Sequence, residues 1–586
     1  MQEPRQPGSP TDGTGDWTTD DPFRRYAARF GREITRVPDS LRQSMAGTDA
    51  AGLGPEGGPG TASGIARTLG LPAAAVEGPA SFFADFAVPH GNRHVRACSA
   101  AACFAATGGT HLATVEAALG VEAGSRARDG SVSLQAVHCL GFCYSGPAAL
   151  DGAEAHAGPD LAAQLTHQAP RTAPPIPVAS NSRVPVVTAG VLGEAQPWSV
   201  WPAIAASAAP GDVLAEVEAA QLRGRGGAGF RTAAKWRAAL EHPAPRVVVA
   251  NGDEGDPGSF ADRLLMEEDP HRVLEGLALA CYAVGADTGI VFVRSEYPRA
   301  AARLREALAA AREAGHLGPD VAGSGTRLDI RVAVGAGFYV SGEETALLNG
   351  LEGLRGVVRP RPPFPTAHGL HGRPTVVNNV ETLCAVPWIM QHGGAAYAEM
   401  GTATESGTVL ACLSERFLRP GAYEVEIGTP VRRIVEDLGG GLRDGATLRS
   451  LQIGGPLGGF LGPDDLDIPL SEAALSRHGA ALGHAGIVAF DDRLTGTQVL
   501  QNLWDFAAEE SCGQCSPCRV GTWRGRALAG LPEDPQQGDD GGAQRNHVLR
   551  TMAVGSLCAF GRRVPAAVRS LARVYGLSGW TAEALR

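Results

Sequence analysis

Leu222-Arg223-Gly224-Arg225-Gly226-Gly227-Ala228-Gly229-Phe230, running on to Lys235-Trp236, is the stretch around which the chain is organised. Its four glycines let the backbone approach a ligand closely and turn several N–H groups toward one anion. Arginine and lysine suit phosphate, and an aromatic ring suits a flat heterocycle. The stretch therefore reads as a seat for a phosphorylated, aromatic cofactor. Gly224, Gly226 and Gly229 satisfy G-x-G-x-x-G, but a Rossmann site needs a strand immediately before the motif. Residues 212–218 have the spacing of an amphipathic helix instead. This points to a nucleotide or flavin site in another α/β fold.

Working downstream, residues 246–250 form an apolar strand that ends in Asn251-Gly252-Asp253-Glu254-Gly255-Asp256-Pro257-Gly258. Asn251, Asp253, Glu254 and Asp256 on a glycine-rich turn are natural ligand contacts, though a solvated turn has the same composition. Helix (271–284), strand (289–294), helix (299–314) and strand (328–334) follow, the alternation of an α/β domain. The last strand leads into Ser341-Gly342-Glu343-Glu344-Thr345. Adjacent carboxylates opening a helix suit its dipole, and they can also bind sugar hydroxyls. Arg361-Pro362-Pro363-Phe364-Pro365 reads as a rigid extended segment presenting Phe364, and Asn378-Asn379-Val380-Glu381-Thr382 supplies amides that donate and accept.

Eleven cysteines fall mainly into two groups. Cys98 and Cys103, then Cys139 and Cys143, are two close pairs on separate loops, the kind of ligation a [2Fe–2S] cluster needs. Zinc and unliganded thiols are the alternatives, although zinc more commonly uses C-x2-C knuckles. Cys512, Cys515 and Cys518 at C-x2-C-x2-C, with Cys558 about forty residues on, fit a [4Fe–4S] cubane better than zinc. Cys281, Cys384 and Cys412 have no such spacing and read as buried thiols.

The remaining features bound the whole. A chain of 586 residues holds several domains. A net charge of −11 without a basic tail argues against nucleic acid. No stretch has the length and apolarity of a membrane span; residues 274–293 are interrupted by Glu275 and Asp287. Cysteines without an export signal point to a reducing, cytoplasmic setting. The expected organisation is a disordered segment with a short helix near 23–30 (1–60), a [2Fe–2S] domain preceded by helices (61–167) and a linker (168–196). An α/β domain with the nucleotide or flavin site (197–404), a small strand-rich module (405–492) and a helical [4Fe–4S] domain (493–586) complete it.

Segments 223–236, 251–263, 335–348, 361–365, 378–382 and 510–519 together closely resemble the flavoprotein subunit of respiratory complex I and its soluble relatives. Those relatives are the diaphorase subunits of NAD-linked formate dehydrogenases and hydrogenases. The cysteine block at 98–143 resembles the thioredoxin-like [2Fe–2S] partner subunit of the same enzymes, so two subunits look fused in one chain. The resemblance implies FMN in a non-Rossmann α/β fold, with NADH stacked on the flavin and a ubiquitin-like module of the SLBB type at 405–492. Carried over by motif, Gly224, Arg225, Gly226, Gly229 and Lys235 would hold the FMN phosphate and the nucleotide. Asn251, Asp253, Asn378, Asn379 and Thr382 would hold FMN, with Glu254 and Gly342 beside them in the same motifs. Glu343 and Glu344, the candidate catalytic pair, would flank the nicotinamide and the ribityl chain. Phe230 and Phe364 would stack on the NADH rings, and Asp256 would meet the adenosine ribose and favour NAD over NADP. The chain departs from the family at Arg231, Ser341 and Arg361, where proline, cysteine and lysine are usual.

Segments 294–298, 454–460, 467–470, 483–490 and 555–558 resemble the formate dehydrogenase β subunit most. That implies a molybdenum or tungsten catalytic (alpha) subunit, or an equivalent iron–sulfur subunit, as partner, with no nucleic acid and no membrane insertion. A hydrogenase or quinone-reductase diaphorase is the alternative. An electron-relay scaffold without catalysis and a zinc-binding interaction protein are rivals of other classes.

Overall fold

A computed structural model describes residues 35–47, 61–87, 90–170, 173–531 and 540–581. Three sheets and a helical C-terminal unit carry the architecture. The first sheet comprises β1 (Arg93–Cys98), β2 (Ser125–Arg126), β3 (Val132–Val137), β4 (Ala148–Asp151) and β5 (Glu154–Ala157), in the order β2-β3-β1-β4-β5. β1 and β3 run parallel with Cys98 opposite Val137, so both strands end at the same edge.

Within the segment expected to be disordered, Val37–Gly47 is a helix. Its Val37 and Leu41 are fully buried with Ile65, Val76, Phe83 and Phe86 of the segment that follows, and with Ala336. Apolar residues at helical spacing drive this burial, and glycine-rich flanks obscure the pattern in the sequence. The helix expected near 23–30 lies outside the described residues.

The segment expected as a linker is also structured. β6 (Val178–Ser180) pairs parallel with β12 (Gly421–Glu426) and forms the edge of a six-stranded sheet. That sheet also holds β11 (Thr408–Leu413), β13 (Leu448–Ile453), β14 (Gly459–Leu461) and β15 (Gly486–Asp491), in the order β14-β13-β15-β11-β12-β6. Glu424, fully buried on β12, fastens the segment further. Its carboxylate accepts from Val186 N and Val187 N at 3.0 Å each and from Thr188 N at 3.0 Å. The Thr188 and Thr408 hydroxyls donate to it as well. An anion meeting five donors cannot be replaced by an amide without facing N–H against N–H. Glu424→Gln is expected to destabilise the chain by about 1–3 kcal/mol. In limited proteolysis, cleavage should appear first within 173–196; an unchanged melting temperature and digest would refute the role.

The central sheet holds β7 (Val247–Gly252), β8 (Thr288–Val293), β9 (Asp329–Val334) and β10 (Thr375–Asn379), all parallel, in the order β10-β7-β8-β9. Helices Ala261–Glu268, Pro270–Val284 and Pro298–Glu313 make its crossovers. Strands buried on both faces read as continuous Val/Ile runs, as Val247, Val248 and Val249 do. The C-terminal unit is built from helices Gly496–Glu509, Ser516–Ala529, Asp540–Gly555 and Ala559–Tyr575. No helix among the described residues is long and apolar enough to cross a membrane.

Candidate flavin and iron–sulfur sites

The chain steps from β7 to β8 to β9 in one direction, then returns to place β10 on the far side of β7. The gap between the carboxyl ends of β7 and β10 is thus a topological switch point, where open α/β sheets bind ligands. Asn251 and Asn379 are register partners at that edge.

The glycine-rich stretch lies over this point. A helix (Pro210–Ala219) precedes it, as the sequence predicts, so the site is not a Rossmann site. An antiparallel bridge between Arg223 and Arg231 closes the loop, and Gly227 and Gly229 adopt φ of +90° and +59°. A Cβ on Gly226 would sit 2.9 Å from Asn379 Cβ, so only glycine lets the loop come this close. The loop is tied down by a relay. Arg225 N donates to Thr382 Oγ1 (2.8 Å), whose hydroxyl donates to Asn379 Oδ1 (3.1 Å). Asn379 Nδ2 in turn donates to Asp262 Oδ2 (2.6 Å), and Glu381 N donates to Asp262 Oδ1 (3.0 Å).

The following helix, Thr232–Leu240, delivers two more groups. Trp236 is fully buried and donates to Asn378 Oδ1 at 2.9 Å. Lys235 Nζ donates to Val377 O and lies 3.3 Å from Glu344 Oε2. Arg361 completes a half-buried ring of charge, 2.7 Å from Glu344 and 3.5 Å from Glu343. Glu343 is the N-cap of helix Glu344–Leu351, accepting from Thr345 N and Ala346 N. Asn251 Nδ2 donates to Gly342 O at 2.8 Å, and a Cβ on Gly342 would meet Asp253 O at 2.8 Å. Phe230 and Phe364 are each 56 % exposed, two uncovered rings for a flat ligand. Gly-rich backbone, Lys235, two carboxylates and exposed rings fit a phosphorylated flavin and a dinucleotide.

Three expected contacts are engaged elsewhere. The Arg225 guanidinium is buried and donates to the carbonyls of Arg223, Ser406 and Thr408 and to the Tyr397 hydroxyl. It anchors the loop to the neighbouring sheet, because a buried cation must satisfy its donors. Glu254 is fully buried and accepts from Ser259 Oγ, Asp262 N and Arg263 N, closing its own turn. Asp256 accepts from the Tyr339 hydroxyl and pairs with His484 at 3.4 Å, within the junction to the first cysteine group. Sequence reasoning missed Asp262, which looks like any acidic residue opening a helix; only its burial (1 % exposed) marks it.

The cysteines assemble as two sets. Cys98 ends β1, Cys103 sits on helix Ala101–Thr107, and Cys139 and Cys143 follow β3; all four are buried. Cys139 Sγ and Cys143 Sγ are 3.7 Å apart, and N–H groups of Gly141 and Gly258 donate to these two sulfurs. The hydrogen bond from Cys103, with backbone N–H groups of Ala100 and Cys139, draws the Cys98 thiol down to about 6 against the opposing effect of burial. Converging thiols with N–H donors suit thiolate ligation of a cluster. In the second set Cys512, Cys515, Cys518 and Cys558 meet in one apolar cluster with Val340, Ala346, Phe506 and Phe560. Burial pushes Cys518 and Cys558 up to about 12 and about 11, values that ligation to iron reverses. Glu510 joins the sets: His138 Nδ1 lies 2.9 Å from its Oε1, and Tyr339 N donates to its Oε2 at 2.8 Å.

Fold and site define a flavin-binding protein with two iron–sulfur centres, and comparison with known proteins agrees. Residues 217–388 match the Nuo51 FMN-binding domain, residues 59–161 the thioredoxin-like [2Fe–2S] ferredoxin, and residues 498–577 the NADH-ubiquinone oxidoreductase-F iron–sulfur binding region. The NuoF-type flavoprotein of NADH-quinone oxidoreductase in Salmonella typhimurium is 42 % identical over 56 % of this chain and 75 % of its own. The HndC protein of the NADP-reducing hydrogenase in Solidesulfovibrio fructosivorans is 43 % identical over 54 % of this chain and 64 % of its own. The crystal structure of an NAD+-reducing [NiFe]-hydrogenase matches with a TM-score of 0.80 and 30 % identity, covering 93 % of both chains. The chain belongs to the NuoF family of NADH-quinone oxidoreductase flavoproteins. Its modules are those of a diaphorase-type electron-transfer protein, with FMN, [2Fe–2S] and [4Fe–4S] cofactors and NAD as substrate.

Proposed function

We propose that this chain exchanges hydride between NAD(H) and FMN and passes electrons one at a time to a partner subunit, in the cytoplasm. The reading rests on one juxtaposition: the four cysteines 512, 515, 518 and 558 share an apolar cluster with Val340 and Ala346, which flank Gly342-Glu343 at the switch point. FMN, when bound, takes up an electron pair with hydride and gives electrons up singly. The chain's own residues bind and orient. The loop amides of 224–229 and Lys235 would hold the phosphate, Asn251, Asp253, Asn378 and Asn379 at the strand ends would hold the flavin, Glu343 and Glu344 would bind the sugar and nicotinamide, and Phe230 and Phe364 would stack on the rings.

Among complexes using such a module, an NAD-linked formate dehydrogenase with a molybdenum or tungsten subunit is the assignment we favour, on the segments at 294–298, 454–460, 467–470, 483–490 and 555–558. Residues 405–492 then serve as the SLBB-type packing module. A hydrogenase is the second reading, favoured by the full-length likeness to the NAD+-reducing [NiFe]-hydrogenase chain. Anaerobic purification with co-expressed neighbours, quantifying FMN, iron and sulfide, separates them. Formate-dependent NAD+ reduction supports the first, and hydrogen-dependent reduction the second. Absence of NADH-driven dye reduction in flavin-loaded protein would sink the diaphorase reading itself.

A further inference from the structure

Ser511 immediately precedes Cys512, and Ser556 lies two residues before Cys558. Both hydroxyls border the buried half of the second cysteine set. Ser511 Oγ lies 3.3 Å from Cys518 Sγ. Ser556 is 1 % exposed, and its Oγ has no hydrogen-bond partner among the described residues. The backbone of Ser556 is engaged at both ends. Its N–H donates to Met552 O at 3.2 Å, and its carbonyl accepts from Arg562 Nε at 2.7 Å. The residue is thus fixed in place while its hydroxyl is sealed from water, an arrangement that costs about 1–3 kcal/mol until a partner is supplied.

Gly561, in the first turn of helix Ala559–Tyr575, locates that hydroxyl. A Cβ on Gly561 would overlap Ser556 Oγ and lie 2.7 Å from Ser556 Cβ and 2.9 Å from Cys518 Cβ. The Ser556 hydroxyl and the Cys518 side chain therefore border one small space, which a side chain on Gly561 would fill. The N–H groups of Phe560 and Gly561 donate to Cys558. Polar hydrogens thus gather around Cys518 and Cys558, the two buried thiols of the set, whereas Cys512 and Cys515 are half-buried. Val340, Ala346, Phe506 and Phe560 pack around them. Apolar surroundings of this kind exclude water and strengthen each remaining polar contact.

We propose that the hydroxyls of Ser511 and Ser556 donate hydrogen bonds to sulfur atoms of the [4Fe–4S] centre, Ser511 to the Cys518 thiolate and Ser556 to a sulfur beside it, and that these two bonds raise its reduction potential. The inference rests on the diaphorase reading and on ligation by Cys512, Cys515, Cys518 and Cys558. A thiolate has no proton to give, so the Ser511 hydroxyl is the donor of its pair. Hydrogen bonds to the sulfurs are one of the levers on the potential of such a centre. An added electron makes the sulfurs more negative, and a bond to a more negative acceptor is stronger, so each bond favours the reduced form. The electron comes from NADH by way of FMN. No proton moves in this step, because each hydroxyl keeps its own hydrogen.

Potentiometric titration of the full chain loaded with FMN and clusters, followed by electron paramagnetic resonance of the reduced [4Fe–4S] centre, tests this. Ser511→Ala and Ser556→Ala should each lower the equilibrium constant for reduction about tenfold, a downward shift of about 59 mV for one electron. The double variant should move further in the same direction, with the [2Fe–2S] potential unchanged as the control. Ser511→Thr, which keeps the hydroxyl, should stay close to wild type. A second readout is electron–nuclear double resonance on protein whose clusters are reconstituted in D2O. Wild type should show deuterons coupled to the reduced centre, and Ser556→Ala should lose one coupling. Wild-type potentials in both alanine variants overturn the inference. If Ser556→Ala does not take up its clusters, the wild-type spectrum decides: no coupled deuteron beyond those of backbone N–H groups overturns the Ser556 bond. NADH–dye turnover without any [4Fe–4S] signal overturns the ligand assignment and this inference with it. Shifted potentials without dye turnover overturn the diaphorase reading and leave the two bonds standing.

Discussion

A Thr382→Val protein is expected to fold and to retain its clusters but to hold FMN about ten- to a hundredfold more weakly than wild type. Valine matches threonine in shape, so the change deletes one hydroxyl and little else. That hydroxyl accepts from Arg225 N and donates to Asn379 Oδ1. Its loss leaves a buried N–H without a partner, which costs about 1–3 kcal/mol. The loop recovers that free energy only by lifting Arg225 N toward water. Gly226 would then leave its seat against Asn379, and the amides proposed to hold the phosphate would lose their common direction. The penalty falls on the bound conformation of the loop, while the sheet beneath is held by its own ladder. Fluorescence titration of deflavinated protein measures the effect. Thr382→Ser, which keeps the hydroxyl, should restore affinity. Equal FMN affinities in wild type and Thr382→Val would show that the relay does not position the loop.

The relay also marks the boundary of what the sequence discloses. The glycine-rich loop, the Asn251 turn, the Glu343 pair and both cysteine sets were legible because each is compact in sequence and chemically distinctive. Their meeting at one switch point was legible only through family resemblance, since strand order is invisible in a single chain. The intramolecular partners of three expected contacts were not legible, for one reason. Arg225, Glu254 and Asp256 have the side chains of ligand contacts, but burial commits them to carbonyls, turn amides and Tyr339. Charge composition cannot separate a buried structural ion from an exposed binding group. Asp262 is the converse case: nothing in its sequence surroundings distinguishes it, and its importance lies wholly in the partners that the fold brings from 379 and 381. The segment at 178–188 looked like a linker because proline and threonine dominate its neighbourhood. Its strand is only three residues long and depends on β12 and Glu424 for the long-range contacts that fix it.

Raising the pH from about 5.5 to 8.5 is expected to lower the melting temperature of the central domain, and Asp253→Asn is expected to reduce that loss. Burial pushes the Asp253 carboxyl up to about 8 from an ordinary value of 3.8, with Arg294 opposing the change from 3.8 Å and Glu296 and Glu510 adding to it. The unfolded chain releases this proton near pH 4, while the folded chain keeps it to about pH 8. Across that window the native state binds the extra proton, so stability falls as pH rises and levels off once both states are ionised. The gap between the two values corresponds to at most about 6 kcal/mol. Glu381, raised to about 7 by burial, and Asp262, raised by burial and by Glu254, act in the same sense, so the asparagine variant should flatten the dependence rather than abolish it. The amide preserves shape and the turn, because the backbone N–H at 253 continues to donate to Asn251 Oδ1. Arg294 keeps Glu296 and the Glu254 carbonyl. The same chemistry bears on the flavin site. A carboxyl that holds its proton at neutral pH is a donor as well as an acceptor, and it adds no anion to a region already containing Glu343 and Glu344. If wild type and Asp253→Asn lose the same melting temperature over this range, Asp253 is ionised in the folded chain and Arg294 prevails over burial.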